Sequence, residues 1–594
     1  MGKKKKKEQI EYVPSKYQQA IFEYIQKEQG HLVVEAAAGS GKTYTLVKSL
    51  SFIPNDKKIL LTAFNTDIVK ELTKKTKTFD NVETKTLHGL GLSFLRKNFN
   101  DKRLEIDEFK YASHIKNNVK EYTSFNTFKL RGREYYRYLD NIKKYVDFGR
   151  LYLCQTLKDL DFIEERYNIE TIQDEKEIAL KIMEWGKDEL DTIDYTDMIW
   201  LPNKLFLKPY GLLYDYIMVD ECQDLNKTER ELILKCFKLG TRMISVGDRN
   251  QCIYSFAGSD PDSFDEICKM PNTVRLPLSI SYRCSPKIVN YAKSIVPSIE
   301  ANDDGRKGEI LFNVSLDDVQ QGDMILCRNN APLFQVYNTF LKMGKNVYIR
   351  GKDIGSNLKS IIKSTRQELL NRDCNEDGVF IRLYDDLFTS RDKLMDKFNI
   401  DADMAMSSQH IQNKIDYIKA IEILSEGLKT SDEVIAKIDE IFPRRAKKDG
   451  IALSTVHKAK GLEANNVYIV CNSLMPSKSA KKDWEVSQEY NLMYVAYTRA
   501  KDKLGFIDEK DFEDFDTSNA NTRKSLSLME TKVCKVLNKT KRQEIGIEMA
   551  KFIAENAEKI DAILNGPSVD MGSAPNRKVN VLNDLLHLNK KNKK

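Results

Sequence analysis

Short apolar runs alternate with amphipathic stretches along most of the chain. Leu32, Val33 and Val34 predict a buried strand, and Lys58 to Phe64 (KILLTAF) predicts a second. Tyr216 to Val219 and Met243 to Val246 predict two more. Between them lie helical patterns. Ser15 can cap a helix that turns Ile21 and Ile25 inward, and another helix opens at Lys42. Thr84 to Gly91, containing Thr86-Leu87-His88-Gly89, reads as a third element beside the first two strands. From Leu95 to about Leu190 the text is helical, basic and aromatic, with Tyr111, Tyr122, Phe125, Tyr135, Tyr136 and Tyr145. Gly351 to Lys448 reads as mostly helices with Glu/Lys-rich faces and one turn at Asn375–Gly378. From about Asp514 the chain is helical and polar, then basic, ending NKKNKK. Strands alternating with helices predict an α/β fold, here interrupted by an inserted helical subdomain from Leu95 to about Leu190.

The first strand runs into small residues, Ala36-Ala37-Ala38-Gly39-Ser40-Gly41, and then Lys42 and Thr43 open the helix. Strand, tight turn and helix in that order form a phosphate loop. Residues without bulk let backbone N–H groups curl around a polyphosphate, and the helix start adds unpaired N–H groups and a positive dipole end. Lys42 reaches the β/γ-phosphates and the Thr43 hydroxyl ligates Mg²⁺. The usual pattern starts with Gly; Ala36 is still small. Ala38, Gly39, Ser40, Gly41, Lys42 and Thr43 are therefore the nucleotide-binding candidates, against the alternative of a Gly-rich turn that binds nothing. Upstream, the amides of Gln18 and Gln19 are either surface polars or readers of an adenine edge.

Tyr216 to Asp224 (YIMVDECQD) is an apolar strand that delivers two adjacent carboxylates at its C-terminal end, where ligands of open α/β sheets sit. Asp220 can hold Mg²⁺, and Glu221 can orient and deprotonate an attacking water. After the strand at Met243, Gln251 is placed to sense a γ-phosphate. Tyr254 and Phe256 lie two apart, so on an extended chain they share a face and can stack bases.

Composition changes this picture little. At roughly 150 residues per domain, 594 residues suggest about four domains. The net charge of +7 permits nucleic acid as a partner without requiring it. The ten cysteines, from Cys154 to Cys534, hold no CxxC pair, against a zinc ribbon or a secreted disulfide scaffold and in keeping with a reducing cytoplasm. No apolar run is long enough to span a bilayer, so no membrane partner is expected. Lys3 to Lys7 follows Met1-Gly2 without an apolar run, so it reads as a solvated arm rather than a signal peptide. Nuclear import is the weaker reading of that basic run.

The segments resemble, in order, those of a UvrD/Rep/PcrA-type helicase of superfamily one, from Gln18 to about Leu504. The resemblance rests on GSGKT, VDECQD, LSISYRCSP (Leu278–Pro286), ILCRNNAPL (Ile325–Leu333), LSTVHKAKGLE (Leu453–Glu463) and EYNLMYVAYTRAK (Glu489–Lys501). It implies two RecA-like P-loop lobes, each with a mostly helical insertion. The implied layout is a basic arm (1–13), a first lobe (14–95 and 191–275) with an insertion (96–190), and a second lobe (276–350 and 449–513) with a short insertion (351–448). A helical and basic tail (514–594) follows, as a site for a protein partner or a solvated appendage. It implies that Gln18 and Tyr282 hold the adenine, that Arg283 and the finger Arg499 contact the γ-phosphate, and that Glu463 lies at the nucleotide. It assigns single-stranded DNA contacts to Phe64, Asn65, His88, Tyr254, Phe256, Thr455 and His457. Phe256 stands where relatives commonly have Trp. The implied activity is ATP- and Mg²⁺-dependent translocation on single-stranded DNA with unwinding at single-/double-strand junctions, 3′ to 5′. Alternatives are a translocase that strips proteins with little unwinding, a non-catalytic ATP-gated DNA switch, and an RNA helicase. The intact set Lys42, Glu221 and Arg499 counts against the switch.

Overall fold

The computed structural model describes residues 13–63, 65–99, 104–123, 133–303, 306–370, 378–398, 402–406, 409–428, 430–442, 450–508, 510 and 529. The basic arm apart from Val13, Phe64, and the tail apart from Met529 lie outside the described residues.

Helix α1 (Lys16–Lys27) starts on a capping box: the Ser15 hydroxyl accepts the Gln18 N–H, and the Gln18 side chain accepts the Ser15 N–H. Strand β1 (His31–Ala36) leads through the phosphate loop into α2 (Lys42–Ser49). Next come β2 (Ile59–Ala63), α3 (Thr66–Lys75), β3 (Val82–Thr86) and α4 (Leu87–Asn98). The single element expected over Thr84–Gly91 is thus two. The strand stops because the Thr86 hydroxyl caps the next helix, accepting the Gly89 N–H at 3.0 Å.

The insertion holds β4 (Glu105–Ile106), α5 (Lys110–Tyr122), α6 (Arg133–Leu151), α7 (Leu157–Tyr167), α8 (Glu175–Asp188) and β5 (Thr192–Ile193). These helices enclose their own core, including Tyr111, Ile115, Tyr138, Tyr145 and Ile182, which continues onto Trp200 of α9 (Tyr195–Lys204). Its root is charged. Lys110 donates to Asp197 at 2.8 Å, Arg150 donates to Asp194 at 2.7 Å and Asp197 at 2.9 Å, and the Tyr111 hydroxyl donates to Asp197 at 2.7 Å. All of these side chains are buried.

The chain then returns with β6 (Tyr214–Asp220), α10 (Lys227–Leu234), β7 (Phe237–Gly247), α11 (Ser263–Cys268) and β8 (Thr273–Leu278). The first sheet is wholly parallel, in the order β3-β2-β6-β7-β1-β8. Val33, Ile217 and Val219 face one core, and Leu32, Val34 and Met218 face the other. Burial on both faces explains why these strands read as unbroken apolar runs.

A short parallel pair, β9 (Ile280–Ser281) and β10 (Glu300–Ala301), flanks α12 (Pro286–Ala292). Then follow β11 (Glu309–Val314), β12 (Met324–Cys327), α13 (Ala331–Lys342) and β13 (Val347–Ile349). Helices α14 (Lys352–Leu370), α15 (Gly378–Phe398), α16 (Ala402–Met406), α17 (Gln409–Ser425) and α18 (Ser431–Ile441) come next. The chain closes with β14 (Ile451–Thr455), β15 (Ala464–Ile469), α19 (Asp483–Tyr497) and β16 (Ala500–Ile507). The second sheet is also wholly parallel, in the order β11-β16-β15-β12-β14-β13. Its core takes in Ala37, Ala38 and Ile253 of the first lobe.

By packing, the chain falls into two units, Met1–Ser360 with Ser407–Asp516, and Ile361–Met406 with Thr517–Lys594. Both sheets belong to the first unit; within the second, Tyr384 and Phe388 of α15 stack at 6.1 Å. Among the described residues no helix is long and apolar enough to cross a membrane.

Candidate nucleotide site and its aromatic rim

The phosphate loop turns through two left-handed glycines, Gly39 (φ +73°) and Gly41 (φ +81°). A Cβ on Gly39 would lie 2.5 Å from the Cβ of Arg283 and 2.8 Å from the Ser281 hydroxyl, so glycine here also admits the second lobe. The Gly39 carbonyl accepts the Tyr282 N–H at 2.9 Å. At the start of α2, the Lys42 ammonium donates to Glu221 at 2.8 Å, and the Thr43 hydroxyl donates to Asp220 at 2.7 Å. The Ser40 hydroxyl at the loop is buried and finds no partner among the described residues.

Asp220 is the last residue of β6, and Glu221 follows in the left-handed region at φ 55°. A non-glycine residue held there is strained, and such strain gathers at functional sites. Burial and the adjacent Glu221 raise the Asp220 carboxyl. Burial works against the Glu221 charge too, but Lys42 and then Lys460 outweigh it and hold that carboxyl low. One carboxylate is thus kept ionised while the other is easily neutralised by a proton or a cation. Among the described residues no cage of three or more His, Cys, Asp or Glu exists. Thr43 and Asp220 nevertheless suit Mg²⁺, which takes one or two protein oxygens and completes its shell with water and phosphate.

The second lobe brings its arginines to the same place. Arg283 follows β9 rather than standing on the six-stranded sheet, and pairs with Glu463 at 2.8 Å; Lys501 pairs with Glu463 at 2.6 Å. Arg499 sits in the turn between α19 and β16, 1% exposed. It donates to the carbonyls of Val495 (2.9 Å) and Leu462 (3.2 Å) and to Gln251 Oε1 at 3.3 Å. Gln251 in turn donates to Asp248 at 2.7 Å. Among the described residues no carboxylate pairs with Arg499. Burial, and then Arg283, press its guanidinium down to about 9.

Tyr282 is 40% exposed beside the loop, its carbonyl and that of Arg283 held by the Arg306 guanidinium at 2.8 and 2.9 Å. Gln18 is buried, and its amide nitrogen donates to Thr45 at 3.0 Å, so an adenine would have to share an amide already bonded within the chain.

The expected shared face of Tyr254 and Phe256 is not formed. Ser255–Ala257 is a tight helical turn, which swings the rings to 57° at 6.4 Å, because Gly258 (φ +102°) reverses the chain there. Tyr254 donates its hydroxyl to the His457 carbonyl at 3.0 Å and carries the Lys460 ammonium over its ring at 5.1 Å. Phe256 is 50% exposed and meets the His457 ring edge-on at 5.4 Å. Burial, then Arg328 and Lys458, push His457 well below the usual histidine range, so the ring is neutral. Thr455 ends β14, and its hydroxyl accepts the Lys458 N–H. Asn65 caps α3 through the Ile68 N–H at 2.9 Å. His88 lies in the first turn of α4, its charge disfavoured by burial despite Asp194.

Two residues of the site escape the sequence reading. The Lys460 ammonium joins Asp224 to the Gln251 carbonyl (2.6 Å), and the Tyr494 hydroxyl accepts the Ala38 N–H at 2.8 Å. Each lies inside a segment already singled out, HKAKGLE or LMYVAYTRA, but nothing in those letters says which residues cross to the other lobe.

Residues 17–271 match the family described as "UvrD/REP helicase N-terminal domain", and residues 450–507 match "UvrD-like helicase C-terminal domain". The chain is 24% identical to "F-box DNA helicase protein 1" of Schizosaccharomyces pombe, over 80% of this chain and 55% of that protein. It is 23% identical to the "Probable DNA helicase II homolog" of Mycoplasma pneumoniae, over 80% of this chain and 81% of that protein. It is also 23% identical to "ATP-dependent DNA helicase PcrA" of Bacillus subtilis, over 84% and 83%. The chain thus spans about half of the yeast relative's length and about four fifths of each bacterial one.

Proposed function

The chain belongs to the UvrD/Rep/PcrA family of DNA helicases, and from that premise we propose that it hydrolyses ATP to move along single-stranded DNA and unwind duplex at junctions. The observation that carries the reading is Arg499, a buried cation without a carboxylate, delivered by the second lobe against Gln251 of the first. Burying an unpaired charge is costly, so the site is built for an anion that the described residues do not supply. A γ-phosphate between Lys42, Arg283 and Arg499 meets that need.

In this reading the start of α2 and Lys42 take the β/γ-phosphates. The triphosphate offers Lys42 a stronger anion than Glu221, which frees that carboxylate to take the proton of an attacking water. Thr43 and Asp220 would hold Mg²⁺, which when bound neutralises charge on the phosphates. Arg283, Arg499 and Gln251 face the charge that grows on the γ-phosphate; a single arginine finger is worth about 10³–10⁵ in rate. Tyr282 stacks on the adenine, beside Gln18. Phe256, with Tyr254 and His457 behind it, gives a base one aromatic face to rest on.

Likeness of the Leu453–Glu463 and Glu489–Lys501 segments to the family supports movement 3′ to 5′. Duplexes with a 3′ or a 5′ single-stranded tail test this on the purified chain. Unwinding of the 3′-tailed substrate alone is expected, with ATP and Mg²⁺. No ATP turnover on single-stranded DNA overturns the proposal, and preference for the 5′ tail overturns its direction.

A further inference from the structure

Gln488, Asn491 and Tyr494 recur every third residue on α19, so they form one slanted polar stripe. Each spends its polar group on backbone of the first lobe. Gln488 Oε1 accepts the Ser255 N–H at 3.1 Å. The Asn491 amide donates to the carbonyls of Arg249 (3.3 Å) and Cys252 (3.0 Å). The Tyr494 hydroxyl accepts the Ala38 N–H at 2.8 Å, with both residues fully buried. One turn farther on, Arg499 meets Gln251. The stripe therefore grips the segment that carries both Gln251 and Phe256, and it grips the phosphate loop just ahead of Gly39. Backbone partners cannot turn away as side chains can, so the bonds form together at a single setting of the helix. A buried N–H that loses its partner is unfavourable, which penalises every other setting.

We propose that Gln488, Asn491 and Tyr494 are positioning residues that fix how deep Arg499 enters the site, making ATP cleavage depend on how the Arg249–Phe256 segment is held. None of the three touches the reacting atoms. The proposal rests on reading the site as an ATPase.

The test compares the full chain with Tyr494→Phe and Asn491→Ala, measuring ATP turnover on saturating oligo-dT, binding of a fluorescent ATP analogue, and thermal melting. Loss of the Tyr494 hydroxyl is expected to lower kcat about tenfold, with KM and analogue affinity held within about twofold and the melting midpoint lowered by no more than one lost buried hydrogen bond accounts for. Asn491→Ala gives the same split between kcat and KM, and it carries the test alone if Tyr494→Phe does not fold. Unchanged kcat, or kcat, affinity and melting point falling together as a packing defect would make them, overturns the proposal. A wild-type chain with no DNA-stimulated turnover overturns the ATPase reading itself, and this proposal with it. An active wild type with unaffected variants overturns only the positioning role.

Discussion

In the proposed site, Arg499 is a residue whose burial burdens the fold. Its guanidinium is buried and, among the described residues, bonds to carbonyls, an amide and a hydroxyl. Replacing it with a long apolar side chain should separate the two roles. Arg499→Met is expected to cut ATP turnover by about 10³ while holding or raising the melting temperature; a clear drop in melting temperature would mean that the arginine is structural. Glu229 tells a different story. It closes a capping box on Asn226, with the Asn226 N–H donating to its carboxylate at 3.1 Å. Burial, and to a lesser degree Asp224, lift its carboxyl from 4.5 to about 7. Between those values the folded chain holds a proton that the unfolded chain releases, so stability from this residue falls as pH rises through the window. The full effect is on the order of 3 kcal/mol. Glu229→Gln keeps the cap and removes the charge, so it should melt higher than wild type at pH 8 and alike at pH 4.5. Parallel melting curves across that range would refute the assignment. Arg499 was legible in the letters, because a family motif surrounds it; Glu229 was not, because an acid three places after Asn looks the same whether solvated or buried.

At the scale of elements, the turn after β1 and the turn after β9 share one narrow space. The glycine at 39 leaves room for Arg283, and its carbonyl takes the Tyr282 N–H. Gly39→Ala adds a methyl group where Arg283 and Ser281 already stand, on backbone at φ +73° that L-residues avoid at a cost of about 1 kcal/mol. Turnover is expected to fall far more than ATP binding, because the second lobe is held off; equal losses would point to simple damage of the loop. Phe256→Ala should reduce DNA-stimulated turnover and movement more than basal turnover, since the exposed ring has little packing to lose. Equal loss of both would make Phe256 a packing residue. The strands themselves were readable, since a sheet covered on both faces demands continuous apolar runs such as Leu32–Val34 and Ile217–Val219. The bends were not. Thr86 reads as strand or helix until its hydroxyl is seen capping α4, and Tyr254 and Phe256 alternate in sequence yet sit on a tight turn.

Across the two lobes, the chain converges on one candidate nucleotide site, with Lys42, Thr43, Asp220, Glu221 and Gln251 from the first lobe and Arg283, Glu463, Lys460 and Arg499 from the second. Sequence spacing could not show this meeting. Gln251 and Arg499 stand 248 positions apart along the chain, yet in space their side chains bond at 3.3 Å. Fluorescent labels on the first and second lobes should therefore change separation between nucleotide-free and ATP-analogue states. Labels on the first lobe and its insertion should not, and a change there would mean a hinge at the root. That root is where Lys110, Arg150, Asp194 and Asp197 bury their charges together. Removing one partner of such a group typically costs about 3–5 kcal/mol, so thermal energy rarely opens it. The insertion consequently behaves as a lever without slack: whatever rotation the first lobe undergoes arrives at the far tips of its helices undiminished, amplified only by their length.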